Sequence, residues 1–466
     1  MLTDHATFHI TGQAKPIWVP PTGSALGTTL WRSNLAAGST DPGSETLRCL
    51  WLAREIPLPL SSGDKIYTAR LAQALVAAGA SVTFMGLATS AASSLQRAIA
   101  FENRIEWRIV PGRPNPTVLA LASPLPLVAA RFATRDYAQH LKTMLRARDF
   151  HVVILDHYAM AWTIGYLQKS EWSGARPLIM YIAHNFETGV SANIVRNFRG
   201  SVFRKTALHA NAWKTANAER SVARVVDIIV TLTSEDADSL TRLSPVNTKL
   251  VLLPGYSGPR APNRRITPAT PRRVVIVGDY HWMAKQINLS AFIEAADSIL
   301  QNAGVGLDVV GEGPDSLRKA WGASVKATQF HGFVEDIGEF LAARRFGLVI
   351  EQTGGGFKLK ALDYIFNRVP IAAIRGSMVG LPLTQGLDYL SFDSMRELAQ
   401  GVAAAIDDIE RLNSLQQAAY EKCNAGFDWS DRGRTLYNGI QQAVNRQRCA
   451  YARKSGPSAS GGVSPS

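Results

Sequence analysis

Three consecutive glycines, Gly354, Gly355 and Gly356, are followed at once by Lys358, Lys360 and Asp363 in the run FGLVIEQTGGGFKLKALDYIFNRVP. Backbone without a Cβ lets amide groups come close to a ligand. The apolar residues before it, Phe346 to Ile350, have the length and branching of a strand buried on both faces. Leu359, Leu362, Ile365 and Phe366 after it fall at helical spacing. Strand, glycine loop and helix N-terminus together suit phosphate, because orphan amides and the positive dipole end face the anion. Lys358 and Lys360 add full charges at the mouth of the loop, and Asp363 is placed to accept hydrogen bonds from sugar hydroxyls. The same residues also suit a tight turn with solvated lysines, and a short glycine motif alone does not separate the two.

A second group of candidates lies earlier. His184 ends the apolar run Leu178 to Ala183 and is followed by Asn185 and Glu187, while Asp156 and His157 end VVILDHY. Carboxyl ends of parallel strands face ligand crevices, which makes His184 a site candidate. A capped strand end with a His–Asn pair is the structural alternative, and Asp156 or His157 could serve as an acceptor-side base. Asp236 and Asp238 form a formal DxD. On a helix they point about 200° apart, so they suit a helix N-cap at Thr233 or Ser234 better than a metal clasp.

The elements that must position these groups alternate strand and helix. LRCLWLA reads as a buried strand, PLPLSSGD breaks it, Lys65 to Ala78 is a helix ended by Gly79, and Ser81 to Leu87 is a second strand. Such crossovers imply a parallel sheet. Further strands are expected at His151 to Leu155, Leu178 to Ala183 and Asp227 to Leu232, with one long basic helical region from Glu187 to Val226. The proline-rich stretch PGYSGPRAPNRRITPATP then reads as a linker. After it the pattern restarts, with strands at Arg273 to Val277, Gly306 to Val310, Gln329 to Phe333 and Ile371 to Ile374, and a helix from about Ile287 to Leu300. Residues 1–45 read as a flexible extension and 451–466 as a disordered tail.

The chain has 466 residues, 46% hydrophobic and 19% charged, with a net charge of +13. That length suits two domains, and the charge suits an anionic partner such as nucleotide phosphate or an acidic membrane face. No zinc, RNP or basic-zipper pattern points to nucleic acid. Three scattered cysteines give neither a disulfide framework nor a metal spacing, and fit a reducing, cytoplasmic setting. No apolar span reaches the ~20 residues of a transmembrane helix, and no signal-peptide core opens the chain. Basic residues at Arg196, Arg199, Arg204, Lys205, Lys214, Arg220 and Arg224 interleave with Val195, Phe198, Val202, Phe203 and Trp213. That suits either a solvated helix face or peripheral contact with anionic lipid. VLALASPLPLVAARF is another apolar stretch, expected mainly to pack into the core.

The order of motifs resembles the GT-B glycosyltransferases, in particular the retaining group called glycosyltransferase family four. The residues that carry the resemblance are WLAREIPLPLSSGDKIYTARLAQAL, YIAHNFE, VTLTSEDADSL, VLLPGY, VVIVGDYHWMAKQINL, LDVVGEGP, FHGFVEDI, GGGFKLKALDYIFNRVPIA and FDWSDRGRTLY, spread over 47–445. The resemblance implies two Rossmann-like domains across a cleft: an acceptor domain over 46–260, a nucleotide-sugar domain over 261–425, and a last helix over 426–450 crossing back. It implies a nucleotide-sugar donor, a glycan or lipid-linked acceptor, and neither metal nor other cofactor. Gly63 would approach the diphosphate, Lys285 would neutralise it with Lys358 or Lys360, and Phe333 and Val334 would hold the base. Gly355 and Gly356 would line the donor loop, Asp363 would contact ribose, and His184 would lie beside the donor sugar. Many members carry two glutamates eight positions apart; here Gly355 and Asp363 stand in those places, so the first carboxylate is missing. Asp279, Tyr280 and His281 occupy the region where the family carries an arginine.

A sugar-nucleotide epimerase of the same fold and a catalytically silent nucleotide-sugar-binding protein are the alternatives. A Rossmann oxidoreductase is disfavoured because PLPLSSGD lacks GxGxxG.

Overall fold

Thirteen strands, all parallel, form two sheets in the computed structural model, which describes residues 46–172, 175–244, 248–321 and 324–455. The first half carries β1 (Arg48–Glu55), β2 (Ser81–Ala88), β3 (Glu106–Pro111), β4 (Val152–Asp156), β5 (Leu178–Ala183), β6 (Ile228–Thr231) and β7 (Thr248–Val251). The second carries β8 (Arg273–Val277), β9 (Gly306–Val310), β10 (Thr328–Gly332), β11 (Phe346–Val349), β12 (Ile371–Ile374) and β13 (Leu390–Phe392). Their spatial orders are β3-β2-β1-β4-β5-β6-β7 and β10-β9-β8-β11-β12-β13. Each is a doubly wound Rossmann-like sheet, as expected, and each reverses direction once, between β1 and β4 and between β8 and β11. Ligand crevices form outside the carboxyl ends at such switch points.

Register ties the candidate residues together. Leu50 lies beside Val153 across the first switch point, and Asp156 pairs with Ile182 in the next strand. The strands read as continuous apolar runs because helices cover both faces. Trp51 stacks on Phe84 with centroids 5.9 Å apart, and Trp107 packs tilted against Phe84 at 5.0 Å. One apolar core runs on through Leu252, Val275, Val349 and Leu362, so the two sheets share packing.

Several expectations need correction. The long helix over Glu187 to Val226 is two helices, Glu187–Asn197 and Val202–Val225. The break falls at Phe198–Ser201, where Ser201 caps the second helix by accepting from Arg204 N. β3, β7 and β13 were not anticipated. In VLALASPLPLVAARF the buried residues are Ala120, Pro126, Ala129 and Ala130, whereas Val118, Leu119 and Leu121 are exposed. A six-residue helix, Thr117–Ala122, can bury only one narrow face. The helix expected from Ile287 starts earlier, spanning Met283–Asn302.

Between the halves, the proline-rich segment is held to the second one. Arg264 donates to the carbonyls of Ala342 and Arg368, and Arg345 to those of Pro268 and Thr270. The last helix, Trp429–Ser455, packs on helix Gly63–Ala77, where a Cβ on Gly433 would come within 2.2 Å of the Ala74 carbonyl oxygen. Tyr451–Ser455 continue that helix. The expected extension over 1–45 and the end of the tail, 456–466, lie outside the described residues.

Candidate functional site

Two helix N-termini, one from each half, meet where the switch points face each other. Helix Gly63–Ala77 starts at Gly63, and a Cβ there would stand 3.0 Å from Leu359 Cδ1. Leu359 is the first residue of helix Leu359–Phe366. Both termini carry partial positive charge and unsatisfied amides.

Below them a small cavity is lined by Gly278, Tyr280, Lys285, Asn288, Glu351 and Lys360. Lys360 Nζ lies 2.5 Å from Glu351 Oε1, while Glu351 Oε2 is buried without a hydrogen-bond partner. Burial opposes the Glu351 charge, yet Lys360, Lys358 and Lys285 hold its pKa below the usual carboxylate value. Lys285 has no hydrogen bond or ion pair among the described residues. Burial, then the neighbouring Lys360, lowers its pKa. An anion entering here would meet one uncommitted ammonium and a second held by a carboxylate.

Lys358 is placed differently from the expectation. Its ammonium donates to the Gly355 and Gly356 carbonyls at 2.7 and 2.6 Å, and burial lowers its pKa to about 8. Gly355 and Gly356 do not face an open phosphate cradle. A Cβ on Gly355 would meet Val190 at 2.9 Å, and one on Gly356 would meet the Asn185 amide oxygen at 2.3 Å and the His184 carbonyl oxygen at 2.8 Å. Their missing side chains let the loop lie against the first half, and Gly356 also has φ 67°. Asn288 fixes the loop entry by bonding Thr353 N and O, and Asn197 reaches Thr353 Oγ1 from the other half at 2.9 Å. Of the two candidates to join Lys285, the geometry therefore favours Lys360.

Asp363 sits on helix Leu359–Phe366, where burial raises its pKa to about 7 and the Tyr256 hydroxyl bonds it. Phe333 follows β10 and is 69% exposed, and Val334 beside it is half-buried against the core. An exposed ring at a strand's carboxyl end is available to stack on a base.

In the first half, His184 pairs with Asp156 and not with Asn185. His184 Nε2 lies 2.6 Å from Asp156 Oδ1, and Asp156 Oδ2 accepts from Trp51 Nε1 at 2.9 Å and Thr68 Oγ1 at 2.7 Å. Burial works against charge on both, but their mutual attraction wins: the Asp156 pKa is lowered and the His184 pKa raised. Asp156 is thus saturated and buried, which removes it as an acceptor-side base. Asn185 Nδ2 instead donates to Glu187 Oε1 at 2.9 Å, and His157 Nε2 stands 3.5 Å from the same oxygen. His157 has φ 77°, a backbone region costly for a non-glycine residue. Arg54 pairs with Asp64 close by, at the start of helix Gly63–Ala77.

Thr233 caps its helix by accepting from Asp236 N, and the Asp236 carboxylate accepts from Thr233 Oγ1 at 2.7 Å and from Phe186 N at 3.0 Å, so the DxD aspartate ties the capped turn to the His184 loop. Among the described residues no group of three or more His, Cys, Asp or Glu side chains is disposed to hold a metal. Sequence reasoning overlooked Glu351 and the Asp156–His184 pairing. The available signal for Glu351 was its place just past a buried strand at the edge where sites form.

Comparisons bear on this arrangement. The family described as glycosyl transferases group 1 matches residues 271–408, and the glycosyl transferase 4-like domain matches 62–255. No curated protein sequence matches the chain. Sucrose-phosphate synthase from Thermosynechococcus elongatus is similar in structure, with TM-score 0.60 and 14% identity over 86% of this chain and 100% of that one. HepE from Anabaena, solved with UDP and glucose, gives 0.57 and 13% over 85% and 100%. The pneumococcal O-GlcNAc transferase GtfA, solved with UDP and GlcNAc, gives 0.55 and 11% over 86% and 100%. At such identities the likeness concerns the fold.

Proposed function

Since this chain is a GT-B glycosyltransferase of the group 1 class, we propose that it moves a sugar from a nucleoside diphosphate sugar to a glycan or lipid-linked acceptor, with retention and without a divalent metal, in polysaccharide or glycoconjugate assembly. The observation that carries this reading is the uncommitted Lys285 beside Lys360, under two converging helix N-termini. Transfer breaks the bond from the anomeric carbon to the diphosphate, so negative charge grows on the leaving group. Cations and amides already aimed there stabilise the transition state more than the ground state. Phe333 offers the base platform, Asp363 the ribose contact, and His184 stands on the facing strand edge. An inverting displacement needs a base beside the acceptor; of the two candidates Asp156 is saturated, while His157 stands 3.5 Å from Glu187 Oε1.

The test is a panel of UDP- and GDP-sugars with and without EDTA. Release of UDP or GDP that survives EDTA is the expected result. Binding without release would point to a silent module, and conversion of the nucleotide sugar without an acceptor to an epimerase.

A second reading concerns the acceptor. Val118, Leu119, Leu121, Val202, Phe203 and Trp213 are all exposed, Phe203 at 89%. Lys214 Nζ caps the Leu121 and Ser123 carbonyls, which sets helix Thr117–Ala122 beside helix Val202–Val225. Apolar side chains joined to Arg199, Arg204 and Lys205 suit an anionic lipid surface that presents a lipid-linked acceptor. No helix among the described residues is long and apolar enough to cross a membrane. Each Lys or Arg near the surface contributes about 1 kcal/mol. The protein should co-sediment with phosphatidylglycerol vesicles at low salt and be released at high salt. The pair Arg204→Glu and Lys205→Glu should abolish this without changing nucleotide binding. Indifference to the vesicles at low salt would assign the face to solvent.

A further inference from the structure

The Glu351 carboxylate is unusual in having one oxygen clamped and the other idle. Its side chain is 6% exposed, Oε1 holds Lys360, and Oε2 has no partner among the described residues. A buried acceptor without a donor costs about 1–3 kcal/mol, which a ligand hydroxyl would relieve. Lys285 lines the same cavity with its ammonium uncommitted. The cavity therefore offers two complementary contacts: an ammonium for an anion at Lys285 and a carboxylate oxygen for a hydrogen-bond donor at Glu351. A phosphate cannot serve the second need, because an ionised carboxylate repels it. One ligand class supplies both, an anion with a hydroxyl-bearing ring attached.

The order of strands says which ring that is. Along the carboxyl edge of the second sheet the sequence is β10, β9, β8, β11. Phe333 follows β10, Lys285 follows β8, and Glu351 follows β11. Neighbouring strands are about 4.8 Å apart, so Glu351 lies roughly 14 Å from the base platform, with the diphosphate-binding lysine between them. A nucleoside diphosphate sugar laid along that edge places base, diphosphate and transferred sugar in that order. Ribose falls on the Phe333 side, away from Glu351.

On this basis, and resting on the donor reading above, we propose that Glu351 reads the transferred sugar, with Oε2 accepting a hydrogen bond from one of its hydroxyls. Glu351 then supplies a carboxylate to the donor site although Gly355 carries none. The clamp on Lys360 gives the contact its rigidity: the same side chain orients the cation and fixes its own free oxygen. Glu351 is a specificity-determining residue in this assignment, and it leaves the base and ribose contacts untouched.

The experiment compares each sugar nucleotide with its parent nucleotide by calorimetry on the full chain. The probes are UDP-glucose, UDP-N-acetylglucosamine and GDP-mannose, against UDP and GDP. In the wild type one of these sugars should add affinity to its parent nucleotide. Glu351→Gln, and Glu351→Asp as a variant that keeps the charge, should each weaken binding of the sugar nucleotide about tenfold more than they change binding of its parent nucleotide, whose diphosphate meets the Lys360 that Glu351 holds. Thermal melting checks that both variants are folded. Parallel changes for nucleotide and sugar nucleotide would make Glu351 a counter-ion only and overturn the proposal, as would an intact sugar increment in both variants. If the wild type bound UDP or GDP but no sugar added affinity, this assignment alone would fall. If it bound neither nucleotide, the donor reading would fall with it.

Discussion

Lys285→Ala should lower turnover on the order of one hundredfold while leaving the folded protein as stable as before or slightly more so. The rate effect follows from removing a charge that meets the diphosphate as it departs. The stability effect follows from its surroundings: Lys285 has no ion-pair partner among the described residues, burial disfavours its charge, and Lys360 repels it. Lys360→Ala should give a rate loss of similar size with a different stability signature. It would leave Glu351 buried and negative without its 2.5 Å partner, and breaking a buried pair from one side costs about 3–5 kcal/mol. Urea unfolding of the two variants, alongside turnover with the best donor from the panel, separates these roles. A Lys285→Ala protein that is folded and turns over normally would remove Lys285 from the mechanism. Equal stability losses in both variants would contradict the pairing seen here.

How much of this was legible in the sequence depends on distance along the chain. The runs VVIV at β8 and FGLV at β11 are short, apolar and bounded by glycine or polar residues, so they declare themselves as buried strands. β13, only Leu390–Phe392, and β7, with alternate exposed residues, are too short or too polar to show. The helix break at Phe198–Ser201 hides because charged and apolar residues continue on both sides of a single glycine. Lys360 was legible as a cation at the mouth of the glycine loop, and Lys285 only through the family resemblance. Their unequal states were not, because what separates them is Glu351, nine residues before Lys360 and brought to it by the turn of the glycine loop. The same applies to Lys358, whose partners are carbonyls that no side-chain pattern announces.

Asp156 and His184 are 28 residues apart, yet β4 and β5 are hydrogen-bonded neighbours, and Asp156 stands beside Ile182. The pairing is a consequence of strand order, which the sequence expresses only through the rule that consecutive strands usually neighbour one another. Its effect is to hold the imidazole at the strand edge in one orientation, with Nε2 against the carboxylate and Nδ1 on the other side of the ring. Trp51 and Thr68 in turn hold Asp156, so the cleft side of His184 is positioned by residues deep in the first sheet.

The second large effect is expected from Asp156→Asn. The asparagine oxygen can still accept from Trp51 Nε1 and Thr68 Oγ1, which leaves its amide to face His184 Nε2. An amide donates, so Nε2 must lose its proton and the ring becomes neutral with the proton on Nδ1. Turnover should fall on the order of one hundredfold, because the imidazole then presents a neutral ring to the cleft in place of a cation. Stability should fall by about 1–2 kcal/mol, as a neutral amide–imidazole bond replaces a charge-assisted one. The pH dependence carries its sign from the two shifts. His184 is raised above 6.5, so its contribution is full below 6.5 and is lost as pH rises through the raised native value. Asp156 is lowered below 3.8, so its contribution is full above 3.8 and is lost as pH falls through the lowered native value. The stability gap between wild type and Asp156→Asn should therefore be widest between about pH 4 and 6.5 and narrow in alkali. Urea unfolding of both proteins in steps from pH 5.5 into alkali measures it, and a gap that stays the same size at every pH would show that Asp156 and His184 do not share a proton-linked bond.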